Sequence, residues 1–143
     1  MIFGRPRGAG PQTVMERALE NLVIKSAVIG REVVALTWAD GHVEELSNTA
    51  DIAVARVRFD IDGTEVHFAL LRNKERGRPV MLWHTHFGGV EPSELDIEAF
   101  PTWLVETGCI HHVPTGTLTY YNHDGVRLST SGLIDTPLAT QEI

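Results

Sequence analysis

Cysteine is almost missing, with Cys109 the single one in 143 residues. No internal disulfide can form, so the fold has to rest on its packed core, and a reducing compartment is its simplest home. Positive charge is scarce as well, with 12 Lys plus Arg against 19 Asp plus Glu and a formal net charge of -7. Phosphate backbones and anionic lipid would meet net repulsion, which removes nucleic acid and membrane from the expected partners. No apolar run approaches the roughly 18 residues that a bilayer span requires, and Met1 to Pro11 lacks the apolar stretch of a secretory signal. The expected location is therefore cytoplasmic. Internal repeats are also absent. What remains is ordinary globular material, 43% hydrophobic and 22% charged, which at this length makes one domain. Nothing in the pattern specifies an oligomeric state.

Residues 1–12 carry Gly4, Pro6, Gly8, Gly10 and Pro11 and read as a flexible tail. Thr13 with Glu16 three places on is a capping box, and Val14, Met15, Ala18, Leu19, Leu22 and Val23 share one stripe, which predicts a helix from about Thr13 to Lys25. Val33 to Trp38 and Val43 to Leu46, joined through Asp40-Gly41, form a hairpin. Ala53, Ala55, Val57 and Phe59 alternate with Val54, Arg56, Arg58 and Asp60, which predicts a third strand with one side to the core. Asp62 and Glu65 cap a second helix closed by Gly77, and Pro79 to Trp83 reads as a buried strand with His84-Thr85-His86 at its exit. Ser93 opens a third helix, interrupted by Pro101 and ended by Gly108. Strands follow around Cys109 to Val113, Thr117 to Asn122 and Val126 to Ser129, before a polar tail over 131–143. The order α-β-β-β-α-β-α-β-β-β predicts a single α/β domain over 13–130, a mixed and mostly antiparallel sheet flanked by helices.

The chemistry concentrates at the exit of the buried strand. Residues two apart on a strand face the same way, so His84 and His86 can aim both imidazoles at one point. A catalytic zinc site needs a third protein ligand and one open position, and a carboxylate is a usual donor. Asp96, ten residues after His86, can fold back onto the strand end through a loop containing Gly88, Gly89 and Pro92. Ser93 and Asp96 also read as a helix capping pair. Capping alone does not explain two same-facing histidines emptying onto the start of that helix. Ser93 lacks a Gly-x-Ser-x-Gly elbow, which sets a serine hydrolase aside.

The run His84-Thr85-His86-Phe87-Gly88-Gly89-Val90-Glu91-Pro92-Ser93-Glu94-Leu95-Asp96 resembles the signature of the JAMM metalloproteases, the catalytically competent branch of the MPN domains. Upstream, a helix, a strand opened by Glu32, a hairpin ending in Val43-Glu44-Glu45, Asn48 and Arg58-Phe59-Asp60-Ile61-Asp62 follow the family's order. The six-residue spacer Phe87 to Pro92 is one shorter than usual, Phe87 stands where proline often does, and Val33 to Leu36 lacks the usual glycine. The resemblance implies an MPN/JAMM-like (cytidine-deaminase-like) sandwich with Zn2+ on His84, His86 and Asp96. It implies Glu32 as the base that takes a proton from the attacking water and returns it to the leaving amine, and Ser93 as donor to the oxyanion. Glu44 and Glu45 stand as alternative bases, of which strand alternation lets only one face the site. It further implies a peptidase or isopeptidase of the minimal prokaryotic or phage type. Its partner would be a protein or peptide substrate, such as a ubiquitin-like modifier or its conjugate. The competing expectation is an MPN-type binding or assembly module without activity.

The other histidines read as structural or solvated. His111 and His112 are adjacent on a strand and point to opposite faces, so one tetrahedral ion cannot readily take both. His42, His67 and His123 fall on a hairpin, a helix and a turn. Cys109 reads as a small buried hydrophobe. Trp38, Trp83 and Trp103 supply core area, with Trp83 directed away from the metal face and Trp103 at the edge of the cleft.

Overall fold

The computed structural model describes residues 13–56 and 58–131; the expected tail over 1–12, and 132–143 of the C-terminal one, lie outside them. Thr13 caps α1 (Val14–Ile29) by accepting from the Glu16 amide while the Glu16 carboxylate accepts from the Thr13 amide. The helix runs four residues beyond Lys25 because Ser26 also turns inward, and it stops at Gly30, whose φ of 68° is open to glycine at little cost. A hairpin of β1 (Val34–Thr37) and β2 (Val43–Leu46) follows, then α2 (Gly63–Arg72), a 3-10 turn (Lys74–Arg76), β3 (Met81–His86), α3 (Glu94–Glu98), β4 (Thr107–His112), β5 (Leu118–Tyr121) and β6 (Arg127–Ser131). No helix among the described residues is long and apolar enough to cross a membrane.

The six strands form one sheet in the order β2-β1-β3-β4-β5-β6. Every pairing is antiparallel except β3 with β4, which needs a crossover, and the chain from Phe87 to Glu106 supplies it. β3 and β4 lie at the centre, covered on both faces, which is why β3 opens on the apolar run Met81-Leu82-Trp83 rather than on an alternating pattern. On one face Leu19 and Val23 of α1 pack against Ala35, Trp83 and Cys109. On the other, Val34, Leu36, Leu82 and Ile110 meet Val66 and Ala69 of α2 together with Phe59, Phe100 and Leu104. Gly108 is required by packing, since a Cβ there would stand 2.5 Å from the Tyr121 ring. The expected single mixed α/β domain is observed.

Three local expectations are corrected. The strand predicted around Ala53 to Asp60 does not form. Residues 52–56 turn instead, because the Asn48 side chain and Glu32 take the backbone groups that a strand partner would need. Asp62 does cap α2 through the Thr64 amide, but Glu65 reaches the Ser47 amide rather than closing a box. The third helix ends at Glu98, well before Gly108, because Pro101 cannot continue it.

Candidate metal centre

β3 persists to His86, so His84 and His86 share a face. The register pairs Val34 with His84. One step further, the Thr85 amide donates to Val33 O at 3.0 Å, which sets Glu32 across from His86 on that same face. Glu32 is placed by its backbone as much as by its strand. Its amide donates to Ala55 O at 2.7 Å and its carbonyl accepts from Asn48 Nδ2 at 2.9 Å. Its neighbours are tied as well, with Arg31 O accepting from Ser26 Oγ and the Val33 amide donating to Thr85 Oγ1.

The loop from Phe87 to Pro92 returns the chain to Ser93, whose hydroxyl accepts from the Asp96 amide at 3.1 Å. Asp96 Oδ2 accepts from the Ser93 amide at 2.8 Å, so the capping box is realised. The same carboxylate reaches the strand, with Oδ2 2.8 Å from His86 Nε2 and Oδ1 3.4 Å from His84 Nε2. Glu32, His84, His86 and Asp96 are all buried, and one ligand atom from each lies within 4.8 Å of the others.

The hydrogen-bond chemistry at His86 is revealing. Its Nδ1 lies 3.0 Å from Gly89 O, and a carbonyl only accepts, so Nδ1 carries a proton. The neutral ring then turns a bare lone pair on Nε2 toward a carboxylate oxygen. Two acceptors at 2.8 Å need either a proton or a cation between them. Burial lowers the His86 pKa, but Asp96, Gly89 O and Glu32 outweigh it and hold the ring above its ordinary value. For Asp96, burial pushes upward, and His84, His86 and the Ser93 amide overcome it and keep the carboxylate ionised. His84 is fully buried and its pKa is lowered, by desolvation first. Its ring nitrogens make no hydrogen bond, the contact to Asp96 being poorly directed, and Phe59 packs on the ring at 4.7 Å. Glu32 is pushed up to about 8, mainly by desolvation, with His86 lowering it and Asp96 raising it. Its Oε1 is buried without a partner.

These donors fit a transition metal. Two imidazole nitrogens and a carboxylate are a zinc donor set, and a tetrahedral ion with bonds of about 2.0 Å needs ligand atoms about 3.3 Å apart, which the His84–Asp96 pair at 3.4 Å meets and the His86–Asp96 pair at 2.8 Å would reach by opening slightly. The orphaned Nε2 of His84, which faces Asp96, and the unpartnered Glu32 oxygen are the groups that such an ion and its solvent would satisfy.

Of the rival carboxylates, Glu44 is bound by Arg72 and Asn73, and Glu45 by Lys25 from α1. Neither enters the cluster. His111 packs against Trp83 at 5.7 Å on the far face, and His112 lies on the face of His86. His67 and His123 are exposed, and His42 is half-buried beside Glu44. Burial pushes the Cys109 thiol up, as suits a packed hydrophobe. Trp103, 65% exposed, borders an apolar groove with Leu46, Ile61 and Pro101 instead of the cluster. Sequence reasoning missed Ser26, Thr85 and His112, whose roles arise from contacts between elements, and gave Asn48 no role. Asn48 Nδ2 donates to Glu32 O and Arg58 O, and its Oδ1 accepts from the Ala50 and Asp60 amides. Its amide is thus saturated.

No family model matches the chain, and no curated protein matches it. Among solved structures, a JAB1/MPN domain protein from Archaeoglobus fulgidus superposes with a TM-score of 0.50 at 14% identity, over 87% of this chain and 93% of that one. The fold is therefore of the JAB1/MPN kind. A structure described as a metalloprotease-like zinc site in the proteasome and signalosome matches at 18% identity over 89% of this chain and 93% of that one. Its TM-score of 0.39 is too low to bear on function.

Proposed function

We propose that the chain is a zinc-dependent hydrolase of peptide or isopeptide bonds, with His84, His86 and Asp96 holding the ion. The convergence of two imidazoles and a carboxylate on one buried point, with His84 Nε2 and Glu32 Oε1 left there without hydrogen-bond partners, carries this reading. Zinc would polarise the scissile carbonyl and bring the pKa of water from 15.7 to about 7.

The chain's own residues supply the rest. Glu32 Oε1, unpartnered and desolvated, takes the proton of the attacking water and returns it to the leaving amine. Ser93 Oγ already accepts from the Asp96 amide, which leaves its own proton to donate to the oxyanion. Such a donor is worth about 3–4 kcal/mol. Asp96 fixes His86, and Gly89 O fixes the ring's tautomer. We further propose a cytoplasmic enzyme of the compact prokaryotic or phage type, acting on an extended protein segment such as the tail of a ubiquitin-like modifier. Small residues would be favoured next to the cut.

The deciding experiment is metal analysis of the purified chain with hydrolysis of a peptide panel, for wild type, His84→Ala and Glu32→Gln. Stoichiometric zinc lost in His84→Ala, and turnover lost in Glu32→Gln with zinc retained, is the expected result. Zinc without turnover would leave a binding or assembly module. A wild-type chain without transition metal ends the reading.

A further inference from the structure

His112 ends β4 beside His86, its partner in the parallel register. Both of its ring nitrogens are engaged. Nε2 lies 2.7 Å from Gly88 O, and since that oxygen can only accept, Nε2 carries the proton. Nδ1 then holds the lone pair, facing the Thr115 hydroxyl at 2.7 Å. Thr115 Oγ1 accepts from the Thr117 amide at 3.3 Å and lies 2.9 Å from Thr117 Oγ1; with the Thr117 hydroxyl donating as well, the Thr115 proton goes to the ring.

The next carbonyl along the chain, Gly89 O, is the one that takes the Nδ1 proton of His86. The loop is held on either side of the glycines, by the Arg56 guanidinium over the Phe87 ring and by Arg127 on Glu91, but the glycines themselves have no side chain to anchor them. A Cβ on Gly88 would meet nothing within 4 Å, and one on Gly89 would meet only Glu91 N at 4.0 Å. The two successive carbonyls of the Gly88-Gly89 pair are thus each tied to an imidazole, one inside the cluster and one outside it.

We propose that His112 is a positioning residue for the metal centre. By holding Gly88 O it keeps Gly89 O where it orients the His86 ring and fixes Nε2 as the nitrogen offered to a cation. This rests on the zinc reading above. Partners of a metal-bound histidine typically cost ten- to a hundredfold in affinity when removed, and His112 acts one peptide further out, so a loss of about tenfold is expected.

The test is zinc affinity of the whole chain by competition with a chromophoric chelator, alongside urea stability in excess chelator. The variants are His112→Ala, His112→Asn, His112→Gln and Thr115→Val, with His84→Ala as control. A glutamine amide can reach Gly88 O in place of Nε2, whereas asparagine reaches only the Nδ1 position. His112→Ala and His112→Asn should weaken zinc about tenfold, His112→Gln should stay close to wild type, and exposed Thr115→Val should weaken zinc without loss of folding. Should His112→Ala not fold, the asparagine and glutamine pair decides the matter. Wild-type affinity in both His112→Asn and Thr115→Val, or equal losses in His112→Asn and His112→Gln, overturns the proposal while His84→Ala still abolishes binding. Absence of zinc binding in the wild type overturns the zinc reading and this proposal together.

Discussion

Replacing Glu32 by glutamine should stabilise the metal-free protein, and by an amount that grows with pH. The Glu32 side chain is 3% exposed, and its pKa is raised from 4.5 to about 8, chiefly by desolvation. A raised carboxyl favours folding in its protonated form. That contribution is complete below pH 4.5, the unfolded value, and is lost as pH climbs through 8. At about 1.36 kcal/mol per unit, the carboxylate costs wild type about 3 kcal/mol at pH 7 and about 5 kcal/mol well above pH 8. Glutamine keeps the shape and never ionises. Urea denaturation of both proteins in chelator at pH 5, 7 and 9 measures the gap, and effects of groups that titrate alike in both largely cancel. A gap that stays constant across that range would refute the reasoning. Added zinc at pH 7 should stabilise both proteins comparably if Glu32 is a base rather than a ligand.

Ser93→Ala should lower kcat by two to three orders of magnitude if its hydroxyl serves the oxyanion, and reduce stability by about 1 kcal/mol through loss of the cap; a variant with full turnover dismisses the oxyanion role. Zinc uptake at pH 7 should release a proton, because His86 is held above 6.5 and its Nε2 must be bare to bind. Affinity should therefore rise with pH, and calorimetry in buffers of different ionisation enthalpy would expose a wrong assignment by showing the same heat in each. Asn48→Ala removes four hydrogen bonds, one of them to the Glu32 carbonyl and three to the backbone of Ala50, Arg58 and Asp60. It should cost about 2–4 kcal/mol in urea and depress kcat, while zinc affinity stays at the wild-type level; an equal fall in zinc affinity would contradict its placement at Glu32.

Local pattern carried the elements whose cause is local. The Thr13 box, the Asp40-Gly41 turn, the apolar run into His84 and the Ser93-x-x-Asp96 cap all form where residue spacing puts them. Ala53 to Asp60 alternates like a strand and is not one, because the Asn48 amide and Glu32 claim its backbone from a distance. Glu65 deserts its box for Ser47 for the same kind of reason. The spacing of His84, His86 and Asp96 pointed to the cluster that the structure brings together, since all three come from one strand and the first turn of the helix after it. Glu32 could be placed only by resemblance, and its geometric warrant is the antiparallel register of β1 with β3. His112 was invisible as a supporting residue because only the parallel pairing of β3 with β4 brings it beside His86.

One oxygen joins two processes that are usually separate. Asp96 Oδ2 closes the first turn of α3 and also faces His86, and a helix of five residues has little persistence of its own. The crossover between the two central strands is therefore fastened at the place where the ion would sit. A copy short of its ion would open there first, and a housekeeping protease would meet that copy before a loaded one. Scarcity of metal would then shorten the lifetime of the chain as well as silence it.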